Sequence, residues 1–262
     1  MLTTDFVFGS PCWLDLGAPD VDAAAAFYGA VFDWEHKSAG PDMGGYGFFQ
    51  VGGRTVAAVG PLTEEGARSA WTLYFSTSDA DSTVRSAERS GGKVRAEPME
   101  VGEEGRLAQL SDPQGADFAI WQPGRIRGLD AVSQPGALSW TELCTSDVAG
   151  AKAFYGALFG WQTSDVPMPG GQEGTYTLIT PSGQGEDLMQ GGFVQLPDEY
   201  LPEGPYWHPV FDVADTDATV ARITSSGGNV QMGPEDVEGV GRLAVGTDPS
   251  GAEFVVLKPG PR

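Results

Sequence analysis

The sequence predicts an α+β fold of two similar tandem domains, chiefly because it contains an internal repeat. Segment 9–34 (GSPCWLDLGAPDVDAAAAFYGAVFDW) and segment 136–161 (GALSWTELCTSDVAGAKAFYGALFGW) share 13 of 26 residues at one offset. A second pair of matching segments, 105–124 and 241–260, lies further along each copy, and both begin with GRLA. A repeat of this length has enough apolar material for one core per copy. We therefore expect domains over residues 8–123 and 136–260, joined by a linker over 124–135.

Within each half, a pattern of strand, helix and short strands occurs twice. The first module of each half has an alternating strand, then Asp20 or Asp147 as an expected helix N-cap, then an Ala-rich helix. The second module begins near Trp71 or Trp207, and its helix ends at a Gly-Gly pair. An Asp-Pro-x-Gly turn precedes the last strand of each half. We therefore expect each half to contain two similar modules, which pair either within one half or across the two halves.

Composition limits the classes of partner. The formal net charge of −21 disfavours nucleic acid and anionic membrane surfaces, because both repel an acidic protein. We find neither an apolar run long enough to span a membrane nor a signal-peptide pattern, which predicts a cytoplasmic protein. Two cysteines at different places in the repeats do not form a disulfide framework. The expected partner is a small molecule, and the protein is either a monomer or a homodimer.

Side-chain alternation predicts which residues share a face of the sheet. In the first strand of each half, Trp13 and Asp15, or Trp140 and Glu142, have the parity that faces away from the helix. In the strand that begins near Trp207, the apolar alternate residues should face a helix. That parity leaves His208 on the same face as Glu142, and we expect these two side chains to share one hollow.

Together these motifs resemble one known superfamily. Asp-Val at the helix start, Ala-x-Phe-Tyr within the helix, Leu-Phe-Gly-Trp after it, Gly-Gly and Asp-Pro-x-Gly all occur in order over nearly the whole chain. The chain resembles the glyoxalase, bleomycin-resistance and extradiol dioxygenase superfamily, also called vicinal oxygen chelate. It is most similar to the tandem two-domain glyoxalase-like proteins of actinobacteria, some of which are labelled hydroxylase. The resemblance implies four βαβββ modules, whose mixed sheets curl into cups with helices on the outer face.

The resemblance also implies metal ligands at three positions, and most of them are missing here. Matched to this sequence, the first position falls on Trp13 and Trp140, the second on Thr72 and His208, and the third on Ala119 and Val255. A stable site for a divalent ion usually needs about three protein ligands. We therefore predict no metal site of that kind, and at most a weakly held divalent ion at His208.

Glu142 and His208 are the candidate catalytic pair. An imidazole titrates near neutrality, and a carboxyl poorly solvated beside an indole suits proton transfer. The alternatives are that His208 is a strand histidine paired with a carboxylate, and that Glu142 or Asp15 pairs with Arg106 or Arg242. For Asp15 we favour that ion pair.

Several other side chains are candidates for contacting a ligand. Aromatic side chains on the cup face could stack on a planar ligand, although in sheets they are often ordinary core residues. An arginine in the cup would favour an anionic ligand. Tyr46 and Tyr176 follow glycine-rich loops, which could be mobile lids or plain connections. The predicted substrate-binding residues are Trp13, Asp15, Thr72, Tyr74, Trp121, Trp140 and Arg242.

The sequence thus predicts a glyoxalase- or bleomycin-resistance-type protein that binds a small organic metabolite in a sheet-lined cup. If it is an enzyme, it is a lyase, an isomerase or a hydroxylase-like protein without the full metal triad. The alternative is a non-catalytic protein that sequesters a small molecule such as an antibiotic. The residues do not decide between these two functions.

Overall fold

The computed structural model of the chain describes residues 1–63, 66–171 and 173–260. Within these ranges, each half of the sequence builds one mixed, curled sheet of eight strands, and the chain contains four βαβββ modules. The predicted fold class is confirmed. Among the described residues, no helix is both long and apolar enough to cross a membrane. A cytoplasmic location stays a prediction, as do the domain limits 8–123 and 136–260.

The first half contains eight strands and two helices. Its strands are β1 (Pro11–Ala18), β2 (Glu35–Ser38), β3 (Gly47–Val51), β4 (Arg54–Pro61), β5 (Ala70–Ser76), β6 (Lys93–Val101), β7 (Gly105–Ser111) and β8 (Asp117–Pro123), in the sheet order β2-β3-β4-β1-β5-β8-β7-β6. Its helices are α1 (Val21–Phe32) and α2 (Ala80–Arg89). Strand β1 pairs in parallel with β4, and β5 pairs in parallel with β8.

The second half repeats this arrangement. Its strands are β9 (Leu138–Thr145), β10 (Gln162–Pro167), β11 (Thr175–Thr180), β12 (Gly191–Gln195), β13 (Tyr206–Asp212), β14 (Asn229–Val237), β15 (Gly241–Thr247) and β16 (Glu253–Pro259), in the sheet order β10-β11-β12-β9-β13-β16-β15-β14. Its helices are α3 (Val148–Phe159) and α4 (Thr216–Ser225). Because β9 and β13 are neighbours at the centre of this sheet, side chains of equal facing on the two strands come together.

The expected helix starts are confirmed. Asp20 Oδ1 accepts a hydrogen bond from the backbone N–H of Ala23 at 2.9 Å, and Asp147 Oδ1 accepts one from Gly150 at 2.8 Å. Asp79 caps α2 in the same way. Each carboxylate satisfies a backbone donor that has no partner inside the helix, which fixes where the helix begins.

The chain divides into two compact units, and each unit takes one module from each half of the sequence. The first unit comprises residues 1–13, 72–128 and 140–208, and the second comprises 14–71, 129–139 and 209–262. In the first unit α2 packs against α3, and in the second α1 packs against α4. Modules from different halves therefore pack together through their helices, whereas the two modules of one half share a sheet.

A buried tyrosine forms the centre of the aromatic core in each unit. In the first unit the ring of Tyr155 on α3 stacks on Trp161 at a centroid distance of 5.0 Å, and Trp207 Nε1 donates to its hydroxyl at 2.9 Å. In the second unit Trp71 Nε1 donates to the hydroxyl of Tyr28 at 3.1 Å. These contacts confirm that Trp71 and Trp207 face helices, as the strand alternation predicted.

Candidate functional site

Four polar side chains form a connected hydrogen-bond chain on the second sheet, within the first compact unit. Trp140 Nε1 donates to the hydroxyl of Tyr176 at 2.7 Å, and that hydroxyl donates to Glu142 Oε1 at 2.8 Å. The other carboxylate oxygen, Glu142 Oε2, lies 2.9 Å from Nε2 of His208. In the tautomer that carries its hydrogen on Nε2, His208 donates to Glu142. Both carboxylate oxygens are therefore held by a partner from a different strand.

These side chains lie on the face of the sheet opposite the helices. Trp207 and Phe211 on β13 pack against aromatic residues of helices, so His208, which lies between them, points the other way. On β9, Glu142 alternates with the buried Leu143 and shares its facing with Trp140 and Cys144. The predicted meeting of Glu142 and His208 on one face of the sheet is thus seen in the structure.

We call Trp140, Glu142, Cys144, Tyr176 and His208 the β9–β13 cluster. His208 and Cys144 are each 4% exposed, whereas the side chain of Glu142 is 21% exposed. Glu142 is therefore the ionisable side chain of the cluster that an incoming molecule can reach most easily. The surrounding residues are mainly apolar: Val166, Met168, Leu178, Val194, Leu196, Leu201 and Tyr206.

Tyr176 has a raised pKa and stays a phenol. Burial raises its pKa well above the ordinary value, and the charge of Glu142 raises it further. Its hydroxyl therefore donates to Glu142 at every pH near neutrality. Tyr176 lies in strand β11 and is 8% exposed, so it belongs to the sheet, not to a lid.

The sequence did not identify Gly192 or Cys144 as contributors to the site, and it placed Tyr176 only after a glycine-rich loop. A Cβ atom at Gly192 on β12 would overlap the ring and hydroxyl of Tyr176, so glycine is needed there for the phenol to reach Glu142. Gly192 pairs with Glu142 across the parallel β12–β9 ladder. A glycine inside a strand often marks a close approach, which was the only signal available in the sequence.

The alternative that the acids pair with Arg106 or Arg242 is wrong. Arg106 forms ion pairs with Asp81 at 2.7 Å and with Glu100 at 2.9 Å. Glu142 is held by Tyr176 and His208, as described above.

Arg242 is bound in the same manner as Arg106. It contacts Asp217 at 2.6 Å and Asp236 at 3.2 Å. The hydrogen bonds that Arg242 donates to Asp217 raise the pKa of its guanidinium further, so it stays charged. The role of Arg242 as a ligand contact stays a prediction.

The first half contains a reduced version of the same arrangement. In the second compact unit the hydroxyl of Tyr46 donates to Asp15 Oδ2 at 3.2 Å, as Tyr176 does to Glu142. The expected ion pair of Asp15 with Arg106 or Arg242 is wrong, because both guanidinium groups hold other carboxylates. Thr72 stands where the second half has His208. The first half therefore lacks the imidazole at that position.

The remaining candidates of the first half are mostly buried and belong to the first compact unit. Trp13, Tyr74 and Trp121 are 8%, 4% and 7% exposed, and Thr72 is half-buried. Trp121 Nε1 donates to the backbone carbonyl of Ile126 at 2.9 Å, which anchors the indole to its own segment. Their roles as substrate contacts stay predictions.

Comparisons with known proteins place this geometry in a family. The sequence profile described as "Glyoxalase/Bleomycin resistance protein/Dioxygenase superfamily" matches residues 12–120 and 137–256. The chain belongs to this superfamily. The two matched ranges coincide with the two repeats, so the superfamily assignment predicted from the motifs is confirmed.

Curated relatives match almost end to end. The chain is similar to "Anthracycline biosynthesis protein DauV" of Streptomyces sp. (strain C5), with 37% identity covering 97% of this chain and 95% of the relative. It is also similar to "Putative glyoxylase CFP32" of Mycobacterium bovis, with 36% identity covering 97% and 96%. Its relatives in the superfamily thus include proteins named for biosynthesis and for a glyoxalase.

Solved structures share the fold at low sequence identity. The 2,3-dioxygenase LapB from Pseudomonas sp. KL28 superposes with a TM-score of 0.66 at 15% identity, covering 97% of this chain and 94% of that one. The Mn(II)-bound glyoxalase from Novosphingobium aromaticivorans gives 0.60 at 19% identity, covering 96% and 83%. These matches show the fold alone. The chemistry of the site must be inferred from the residues of this chain.

The residues at the superfamily's usual metal positions do not fit a metal. In the second half these positions hold Trp140, His208 and Val255, and only the imidazole of His208 can coordinate an ion. Trp140 is hydrogen-bonded to Tyr176, and Val255 is buried in β16. We therefore assign no catalytic step to a metal at these three positions.

Proposed function

We propose that this protein binds a small organic molecule over the β9–β13 cluster and that Glu142 moves a proton on it. The observation that carries this proposal is the hydrogen-bond chain from Trp140 through Tyr176 and Glu142 to His208. A general base must be oriented as well as basic, and here a donor from a neighbouring strand holds each carboxylate oxygen. Each oxygen keeps a lone pair that can accept a proton from the ligand.

The surroundings of Glu142 support a ligand that is largely apolar and planar. Tyr206 packs on His208 with ring centroids 5.7 Å apart, and Trp140 adds a half-buried indole. Aromatic walls of this kind suit a flat, conjugated ligand. The name of one 37% identical relative, "Anthracycline biosynthesis protein DauV", connects that protein with the biosynthesis of anthracyclines. We therefore propose a conjugated carbonyl compound as the ligand class.

A carboxylate held in a fixed orientation supports a proton-transfer reaction. Glu142 would remove a proton from a carbon next to the ligand carbonyl, and the electron pair of that C–H bond would move onto the carbonyl oxygen. Returning the proton at another carbon completes an isomerisation, whereas loss of a β substituent completes a lyase reaction. Tyr176 and His208 act as positioning residues, because they touch the carboxylate of Glu142.

Sequestration is the second candidate function, and the lost metal positions favour it. Trp140 puts an apolar indole where the superfamily has a ligand, which strengthens binding of an apolar molecule without adding chemistry. In that case the β9–β13 cluster would hold the ligand by hydrogen bonds alone.

One pair of variants separates the two functions. The ligand is first identified by mass spectrometry of protein purified without denaturation, and its binding and conversion are then measured with Glu142→Gln. An enzyme requires that this variant bind the ligand within about threefold of the parent and lose at least 100-fold in kcat, as expected for removal of a general base. Glu235→Gln, an exposed change on β14 of the same sheet, is the matched control and should behave as the parent does. Tight binding by the parent without conversion would establish sequestration, and absence of binding would refute both functions.

A further inference from the structure

Cys144 brings a thiol to the β9–β13 cluster, and no step of the proposed reaction uses it. One ligand atom each from Glu142, Cys144 and His208 lies within 4.8 Å of the others. Glu142 and Cys144 are two residues apart on β9 and share a face, and His208 is on the adjacent β13. A carboxylate, a thiol and an imidazole thus converge from two neighbouring strands.

We propose that Glu142, Cys144 and His208 form a binding site for a thiophilic divalent cation such as Zn²⁺ or Co²⁺. This site lies one step along β9 from the superfamily position held by Trp140, and it uses no residue of β16. The proposal rests on the same cluster as the proposed function, but it needs no particular ligand or reaction.

The separations fit tetrahedral coordination after a small adjustment. With a Zn–S bond of about 2.3 Å and Zn–N and Zn–O bonds of about 2.0–2.2 Å, tetrahedral ligand atoms lie about 3.3–3.7 Å apart. The donor atoms, all within 4.8 Å of one another, need side-chain movements of about 1 Å to close on one ion. Three protein ligands leave the fourth position open to water or to a ligand of the protein, as in catalytic zinc sites.

The donor set determines which cations fit. A thiolate and an imidazole favour Zn²⁺ and Co²⁺ over Mg²⁺ and Ca²⁺, which prefer oxygen ligands. Burial supports the same choice, because His208 and Cys144 are each 4% exposed and the apolar surroundings keep competing water away. The hydrogen bond between Glu142 and Nε2 of His208 is replaced on binding, when both atoms turn to the ion.

Binding of the cation must release a proton. The thiol of Cys144 coordinates as a thiolate, so its proton leaves for solvent when the ion binds, and the affinity rises with pH. Tyr176 can hydrogen-bond to the coordinating carboxylate, because its hydroxyl already donates to Glu142 Oε1 at 2.8 Å. The oxidation state of the ion does not change in this step.

Cobalt binding tests the proposal without any activity measurement. Protein freed of metal by chelator and dialysis is titrated with Co²⁺, and its absorption is recorded from the near-ultraviolet to the visible. We expect one equivalent to bind, with the charge-transfer band of a cobalt–thiolate bond. Cys144→Ser should lose this band, and Glu142→Gln and His208→Gln should weaken cobalt binding at least tenfold.

Cys12→Ser is the matched control. Cys12 is also a buried strand cysteine, but burial raises the pKa of its thiol far above the usual range, and its Sγ lies 3.5 Å from the carbonyl oxygen of Tyr74. This variant should keep the full cobalt spectrum. Should Cys144→Ser fail to fold, X-ray absorption of the zinc-loaded parent protein replaces it and should show one sulfur at about 2.3 Å.

The outcomes distinguish this proposal from the proposed function. A parent protein that binds no Co²⁺, or binds it without a thiolate band, overturns the metal site and leaves the Glu142→Gln test of proton transfer intact. A thiolate band in a protein that binds no organic molecule supports the metal site and refutes the proposed function. A band that survives in Cys144→Ser also overturns the proposal.

Discussion

Tyr176 lies directly over Gly192, and this close approach lets its hydroxyl reach Glu142 at 2.8 Å. The two residues belong to adjacent antiparallel strands, β11 and β12, and β12 is in turn paired with β9, which carries Glu142. The phenol thus crosses a whole strand to reach the carboxylate. Gly192 has no catalytic group, yet the geometry of the site depends on its lack of a side chain.

Gly192→Ala should therefore disrupt the site while leaving the sheet intact. Strand β12 is hydrogen-bonded on both sides, so the new methyl group must displace the ring of Tyr176 instead of the backbone. Loss of one hydrogen bond to a charged group costs about 1.5–3 kcal/mol, so kcat/KM for the identified ligand should fall about 10- to 150-fold. The measurement is steady-state kinetics, or binding affinity if the protein only sequesters its ligand.

Gly156→Ala provides the control for Gly192→Ala. Gly156 lies in α3, and the nearest atom to a Cβ there is the carbonyl oxygen of Trp161, at 3.9 Å. This variant should keep its activity and gain slightly in stability, since alanine favours helix over glycine. Equal activity of Gly192→Ala and the parent would show that the bond from Tyr176 to Glu142 is not used.

A second prediction concerns the buried tyrosine of the first unit. Tyr155 donates to Asp112 Oδ2 at 3.2 Å while it accepts from Trp207, and Asp112 Oδ1 accepts three backbone N–H groups of its Asp-Pro-x-Gly turn. Tyr155→Phe leaves the carboxylate and the indole N–H without this partner. It should lower the free energy of unfolding by about 1–3 kcal/mol.

Urea unfolding followed by fluorescence measures the change in Tyr155→Phe. Tyr200→Phe, at a side chain that is 64% exposed, is the control and should change stability by less than about 0.5 kcal/mol. Tyr28→Phe in the second unit should repeat the loss, because Tyr28 donates to Asp248 Oδ2 at 3.3 Å. An unchanged free energy of unfolding in Tyr155→Phe would mean that water replaces the lost hydroxyl.

The local features of the fold could be predicted from the sequence, and the long-range ones could not. The N-cap at Asp147 and the facing of Glu142 and His208 follow from patterns within about ten residues, and the structure has them as predicted. The contact of Tyr155 on α3 with Asp112 depends on the packing of modules from different halves, and the contact of Tyr176 with Gly192 depends on the pairing of β11 with β12. The periodicity of a single sequence does not give the register of such contacts, so the sequence places Tyr176 only after a glycine-rich loop.

A third prediction concerns alkaline pH. Burial raises the pKa values of Tyr28, Tyr155 and Tyr176 well above the ordinary 10.0. The folded protein therefore binds more protons than the unfolded chain above pH 10, and the stability from these phenols, complete below pH 10, is lost as pH rises. Melting temperature should fall steeply above pH 10, and tyrosinate absorbance should appear in these residues only with unfolding.

In Tyr155→Phe the melting temperature should fall less steeply above pH 10, since the variant lacks one of the three buried phenols. In Gly192→Ala the displaced Tyr176 should ionise at lower pH than in the parent. Full ionisation of every tyrosine before any loss of structure would contradict the burial of these three phenols.

The last prediction separates two roles of Trp140, as a wall for the ligand and as a donor to Tyr176. Trp140→Phe keeps an aromatic surface but removes the Nε1–H that lies 2.7 Å from the Tyr176 hydroxyl. If the indole acts through that bond, ligand affinity should stay within about threefold while kcat falls about 5- to 10-fold, the cost of one neutral hydrogen bond of about 1 kcal/mol. Tyr176→Phe also breaks the bond to the charged Glu142 and should lower kcat about 10- to 150-fold. Adding Trp140→Phe to it should change little more, because the two changes break one chain of contacts. A loss of affinity above tenfold with unchanged kcat would instead show that Trp140 acts by stacking on the ligand.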